Sequence, residues 1–81
     1  VKLRKYLDKY KLTLRAFSRI TGIHESTLCG YSYESKMPSL INAIIIVAAT
    51  NHRVEFIDLV PTRYRARIHR NFGPDHHKNL L

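Results

Sequence analysis

Residues 13–31 read TLRAFSRITGIHESTLCGY. Thr13 is a helix-capping residue type, because its hydroxyl accepts from a backbone N–H that the first helical turn leaves free. The spacing predicts a helix over 14–21, with Phe17 and Ile20 on its apolar face. Ala16 and Ser18 are small enough to let another helix approach. Gly22 supplies the permissive backbone of a sharp turn. Ile23 is expected inside. A second short helix is expected from about His24 to Tyr31, with Leu28 and Tyr31 facing inward and Glu25, Ser26 and Cys29 facing outward or sideways. Gly30 costs this helix about 1 kcal/mol of propensity against alanine. It either ends the helix early or admits the close approach of another surface.

Working outward, residues 2–10 carry Leu3, Tyr6, Leu7 and Tyr10 at helical spacing. Residues 32–37, SYESKM, read as a loop, and Pro38 fits a first-turn position with Ser39 beside it. The next helix, roughly 39–50, is the most apolar segment. Leu40, Ile41, Ile44, Ile45, Val47 and Ala48 cover more than one of its faces. Such a helix is either packed by several neighbours or also serves a dimer contact. Val54, Ile57 and Leu59 or Val60 are expected to close the core as a short fifth helix, with Glu55 at its start, before Pro61 ends the segment. In the tail, Tyr64, Ala66 and Ile68 alternate with Arg63, Arg65, Arg67 and His69, a strand-like period. The expectation is an all-α domain over 1–61 followed by a basic tail over 62–81 that is partly extended.

Eighty-one residues suffice for one small domain. Fourteen Lys and Arg against six acidic residues give a net charge of +8. Residues 1–60 hold nine basic and five acidic side chains, and residues 61–81 hold five and one. Each part therefore carries +4, and the tail is about three times denser in net charge. That balance favours an anionic partner. The longest apolar run, LINAIIIVAA over 40–49, is well short of the roughly 18–20 residues that span a bilayer. No apolar leader with a small-residue cleavage site is visible, and the single Cys29 cannot form an internal disulfide. These features point to a reducing cytoplasm and away from a membrane.

A helix laid in the major groove of DNA presents its first turn to base edges, so those positions must be short and polar. Glu25, Ser26, Thr27 and Cys29 are the candidate base readers. Thr13 and Arg15 stand at a helix N-terminus, where backbone amides attract phosphate. With Arg4, Arg19, Lys36 and Arg53 they make the candidate phosphate contacts of the body. Phe17, Ser18, Gly22, Ile23, Leu28 and Tyr31 form the expected turn and core that hold the reader. In the tail, Arg63, Tyr64, Arg65, Arg67 and Ile68 are candidates for a DNA-contacting arm or a dimerisation strand.

Leu12, Thr13, Leu14, Phe17, Ser18, Gly22, Ile23, His24, Leu28, Cys29 and Tyr31, followed by Lys36, Pro38 and Ser39, resemble the pattern of the Cro-like and lambda-repressor-like helix-turn-helix family of bacterial and phage regulators. The later ATNHRVEFIDLVP makes the chain especially similar to small YdaS-type regulators. The resemblance covers residues 2–61, about three quarters of the chain. It implies a five-helix fold and a homodimeric, nucleoid-associated transcriptional regulator, a repressor on a palindromic operator of double-stranded DNA. It also implies phosphate contact by Lys36. Three residues depart from the pattern. Leu14 stands where a glutamine often binds phosphate, His24 replaces a serine cap and is expected to cap poorly, and Gly30 stands where a long polar residue often reaches DNA. Together they predict weaker or altered base reading.

An enzyme is not expected. There is no glycine-rich phosphate loop and no carboxylate pair of credible spacing. His69, Asp75, His76 and His77 lack a cysteine pair, so neither a metal nor a cofactor is expected. The alternative retains the fold and changes the task, to a protein-interaction module or the antitoxin partner of a small toxic protein. The apolar surplus of the fourth helix and the segment from Tyr64 to Phe72 would then be the interface.

Overall fold

A computed structural model of the chain describes residues 1–65 and Arg67. Four α-helices, α1 (Leu3–Lys9), α2 (Leu14–Thr21), α3 (Glu25–Ser32) and α4 (Leu40–Ala49), are followed by a 3-10 turn over Ile57–Leu59. No strand occurs among the described residues. The fifth helix expected over 54–60 is thus a single 3-10 turn. Asp58 Oδ2, within this turn, accepts from the Glu55 backbone N–H at 2.9 Å.

Each helix buries only part of its apolar set, and in α4 the buried Ala43 and Ile46 fall outside the six residues expected to cover it, of which only Val47 is buried. Leu3 and Leu7 of α1, Phe17 of α2, Leu28 and Tyr31 of α3, and Ala43, Ile46 and Val47 of α4 meet Ile23, Val54 and Leu59 in one core. Ile20 departs from expectation and is 59% exposed. The inward stripe of α2 runs through Leu14, Phe17, Ser18 and Thr21, which leaves Ile20 at its margin. Ile57 likewise faces out, and Val54 and Leu59 close the core without it.

α4 divides along its length. Ala43, Ile46, Val47 and Thr50 follow an i, i+3, i+4, i+7 stripe into the core, while Leu40, Ile41 and Ile44 stand outside. Ser39 is its N-cap, with the hydroxyl accepting from Asn42 N–H at 3.3 Å. Pro38 therefore precedes the cap instead of occupying the first turn. At the other end the buried Thr50 hydroxyl donates to the Ile46 carbonyl at 2.9 Å and accepts from Val54 N–H at 3.2 Å. That pair of bonds turns the chain through Asn51 and His52, both left-handed at φ 54° and 64°. The Asn42 amide donates to the Tyr31 hydroxyl at 2.9 Å and ties α4 to α3.

The start of the tail is helical, not extended. Residues 62–65 follow Pro61 as a helical turn, with Tyr64 N–H donating to the Pro61 carbonyl at 2.9 Å. Proline is favoured at the head of a helix, and this local preference outweighs the period-two pattern read from the arginines. The strand expectations for Ala66 and Ile68, and the turn signal at Phe72–Pro74, lie outside the described residues.

Candidate nucleic-acid interface

The geometry of α3 is set by the three residues before it. α2 ends in Gly22 at φ 75°, a left-handed conformation that glycine adopts without steric cost. Three hydrogen bonds hold the turn. Gly22 N–H donates to the Ser18 carbonyl at 2.8 Å. The Ser18 hydroxyl donates to the Ile23 carbonyl at 2.6 Å, and Ile23 N–H donates to the Thr21 hydroxyl at 3.2 Å. Ile23 is buried, so the turn is fastened from within. Ser18 is therefore more than a small residue at a helix crossing, because its hydroxyl bridges the turn.

His24 caps α3. Its Nδ1 accepts from the Ser26 backbone N–H at 3.2 Å and lies 2.8 Å from Ser26 Oγ. This corrects the expectation of a poor cap, since an unprotonated ring nitrogen serves as the acceptor a serine would supply. The Ser26 hydroxyl is thus a second neighbour of the same ring nitrogen, and the direction of that contact is set by the imidazole tautomer.

Glu25 and Ser26 are exposed at the head of α3, and Thr27 and Cys29 are half-buried on its flank. Leu14, His24, Glu25, Ser26 and Cys29 line one open depression of about 360 Å³. The start of α2 and the outer edge of α3 thus form a shared surface. Thr13 caps α2 through its hydroxyl, which accepts from Ala16 N–H at 3.0 Å. Arg15 and Arg19 are exposed one turn apart on a single face of α2.

Gly30 is buried, and a Cβ placed there would come 2.8 Å from Lys36 Cδ. The helix continues through it, so of the two readings left open for Gly30, close approach is the one observed. The carbonyl of Gly30 accepts from Ser35 N–H at 2.9 Å and Lys36 N–H at 3.2 Å, which folds the loop back on α3. Lys36 itself is exposed.

Glu34 is a junction that the sequence did not single out. It follows the helix end in a left-handed conformation, φ 62°. Its carboxylate pairs with the Lys2 ammonium and accepts from the Thr62 hydroxyl at 2.9 Å. Its backbone carbonyl accepts from the Arg63 guanidinium at 3.0 Å. The Lys2 and Thr62 hydrogen bonds hold its carboxyl at about 2, below the usual 4.5. The end of α3, the head of α1 and the start of the tail meet here. Its partners Lys2 and Thr62 lie 32 and 28 residues away in the chain, so no local pattern in the sequence marks this role.

The remaining candidates are scattered. Arg53 lies past the C-terminal end of α4, about 15 Å of helix beyond Ser39, with its guanidinium 5.9 Å from the Tyr10 ring centroid. Arg4 stacks over Tyr33 at 4.9 Å and faces Asp8 at 3.9 Å. Tyr64 and Arg67 are exposed and Arg65 is half-buried, while Ile68 lies outside the described residues. Among the described residues no cluster of three His, Cys, Asp or Glu side chains could hold a metal ion. None of their helices is long and apolar enough to cross a membrane.

Comparison of the chain with protein-family models, with curated proteins and with solved structures found no match.

Proposed function

We propose that this chain is a helix-turn-helix regulator of the lambda-repressor-like type that binds double-stranded DNA in a sequence-specific way, with α3 as the reading helix. The observation that carries this reading is the exposed head of α3. Glu25 and Ser26 are exposed at its first turn, held by the Gly22 turn and the His24 cap, on a chain of net charge +8. Arg15, Arg19 and Lys36 supply cations for the phosphate backbone, and the N-terminus of α2 adds free backbone N–H groups.

The chemistry of the head of α3 also suggests what it reads. A carboxylate only accepts, so Glu25 matches the exocyclic amine of cytosine in the major groove, while the Ser26 hydroxyl can bond to several base edges. Two copies on a palindrome would place two such heads about 34 Å apart, one turn of the duplex. A complex of that kind regulates transcription by excluding or recruiting polymerase at a promoter.

Fluorescence anisotropy with a mixed-sequence duplex, titrated across salt, tests the reading. Binding that weakens steeply and log-linearly with salt is expected. A protein that leaves duplex DNA unbound at low ionic strength overturns it. The second reading, an antitoxin or protein-interaction module, draws on the exposed apolar side of α4. It uses a different surface and is compatible with DNA binding.

A further inference from the structure

Residues 1–24 hold seven basic side chains and one acidic, whereas residues 25–60 hold two and four. The positive charge of the domain is therefore gathered on α1, α2 and their connection. Of the seven, Lys2 pairs with Glu34 and Arg4 faces Asp8. Lys5, Lys9, Lys11, Arg15 and Arg19 are exposed and have no acidic partner among the described residues. Like charges gathered in this way repel one another.

At the end of α1 the crowding is built by specific contacts. The Lys9 ammonium lies 5.7 Å from the centroid of the Tyr10 ring, and the Arg53 guanidinium lies 5.9 Å from it. Two cations, one from α1 and one from the turn after α4, thus meet at a single ring. Asn51 and His52, both left-handed, bring Arg53 there. Tyr10 is backed by Tyr6, with ring centroids 4.8 Å apart, and is still 42% exposed. Lys11 follows with φ 54°, a conformation in which an L-residue is strained and glycine is not. Its N–H donates to the Asp8 carbonyl at 3.3 Å, and Leu12 N–H donates to the Leu7 carbonyl at 2.9 Å. These bonds close α1 without using the Lys11 side chain. A strained lysine with an exposed ammonium beside two further cations points to a ligand for that side chain.

We propose that Lys9, Tyr10, Lys11 and Arg53 form a second contact for the phosphate backbone of a duplex, outside the α2–α3 unit and blind to sequence. The proposal rests on the duplex reading for its ligand. Three cations match phosphodiester oxygens, and the Tyr10 hydroxyl adds a donor. Position selects nucleic acid as the polyanion. Tyr10 and Leu14 are four residues apart, at most about 15 Å along the chain, and Leu14 lines the depression that holds Glu25 and Ser26. That span is less than half of the roughly 34 Å turn of a duplex. One backbone can therefore run from the head of α3 to the cluster. A membrane surface is met by elements that set large aliphatic side chains among their cations, and the cluster contains none.

Anisotropy titrations of the full chain with a mixed-sequence duplex, repeated across salt, test the proposal. Combined Lys9→Ala, Lys11→Ala and Arg53→Ala should lower the log–log salt slope by about two to three and weaken low-salt binding roughly tenfold or more. All three positions are exposed, so far-UV circular dichroism should match wild type. Lys11→Gly separates binding from folding. It should weaken binding about threefold, yet unfold at the same temperature as wild type or higher, because glycine relieves the left-handed strain. Leu40→Glu lowers the net charge by the same one unit at an exposed position of α4 and should leave the slope unchanged. A wild-type chain that binds the duplex while the combined variant keeps its slope overturns the proposal and leaves the α3 reading standing. A wild-type chain that ignores the duplex at low ionic strength overturns both. An equal fall in slope for Leu40→Glu and Lys11→Gly reduces the effect to overall charge and overturns the proposal. So does loss of binding to anionic phospholipid vesicles in the combined variant with duplex binding unchanged. The expected loss of slope in a chain without sequence preference supports the cluster and counts against the α3 reading alone.

Discussion

The stem of Lys36 lies against Gly30, so close that a Cβ on residue 30 would stand 2.8 Å from its Cδ and 3.0 Å from its Cγ. A glycine in the middle of a short helix looks like a weakness. Here it is the floor on which the loop lysine rests. The Gly30 carbonyl holds the backbone of that loop, and its missing side chain leaves the space for the lysine stem. Gly30 thus acts on the candidate interface through Lys36 and does not face it.

Gly30→Ala should separate stability from binding. The clash falls on a flexible side chain, while the helix gains about 1 kcal/mol of propensity. The unfolding free energy should therefore change by less than about 1 kcal/mol in either direction. The Lys36 stem must give way, and if its ammonium is thereby drawn off a phosphate, duplex affinity should fall several-fold and the salt slope should decrease by about one contact. Paired urea denaturation and anisotropy titrations check both halves.

Gly22 makes the opposite case. A Cβ there meets nothing within 4 Å, yet φ is +75°. Any cost of Gly22→Ala is then conformational, about 1–2 kcal/mol for an L-residue in the left-handed region. Gly22→Asn should cost less, because asparagine tolerates that region. Equal losses for the two variants in thermal unfolding would show that backbone conformation is not what Gly22 contributes.

Across the same turn, Ser18→Ala removes the bond from its hydroxyl to the Ile23 carbonyl and should cost about 1 kcal/mol. Hydrogen exchange should be faster in α3 than in α1, because the lost bond frees the entry to α3 first. Uniform loss of protection across all helices would argue that Ser18 serves the core as a whole.

Glu34 makes the stability of the fold pH-dependent in acid. Its carboxyl sits at about 2 when folded against 4.5 for a free side chain, held there by hydrogen bonds from Lys2 and Thr62. A depressed carboxyl contributes stability that is complete above its unfolded value and is lost as pH falls toward the folded one. Unfolding free energy should therefore decline between about pH 4.5 and 2. Glu34→Gln should be less stable near neutral pH and should decline less over that window. A parallel decline in the two proteins would remove Glu34 from the account.

What the sequence disclosed follows from the range of each signal. α2 was legible to the residue because Thr13 and Gly22 mark its ends locally, by capping chemistry and by a backbone requirement. Leu28 and Tyr31 were placed by period alone. The errors arose where the deciding partner is distant in sequence or where two patterns compete. Ile20 has helical spacing, but the core lies on the Leu14–Thr21 side. His24 is a poor cap by side-chain type alone, and only the orientation of its ring toward Ser26 N–H makes it an effective one. Glu34 depends on Lys2 and Thr62, 32 and 28 residues away, and no local pattern announces such a junction. In the tail, alternation suggested a strand where Pro61 starts a helical turn. Within the candidate interface, the residues on α3 were readable because a helix start is a local object. The support that Gly30 gives Lys36 was not.

The central claim, that the head of α3 reads duplex DNA, is tested most directly by selection from a pool of random duplexes with the wild-type chain, Glu25→Gln, Ser26→Ala and Lys36→Ala. One enriched motif is expected for wild type, with altered preference at one or two neighbouring positions for the α3 variants. Lys36→Ala should retain the motif while binding every sequence more weakly. No enriched motif, or an unchanged motif in both α3 variants, would contradict it.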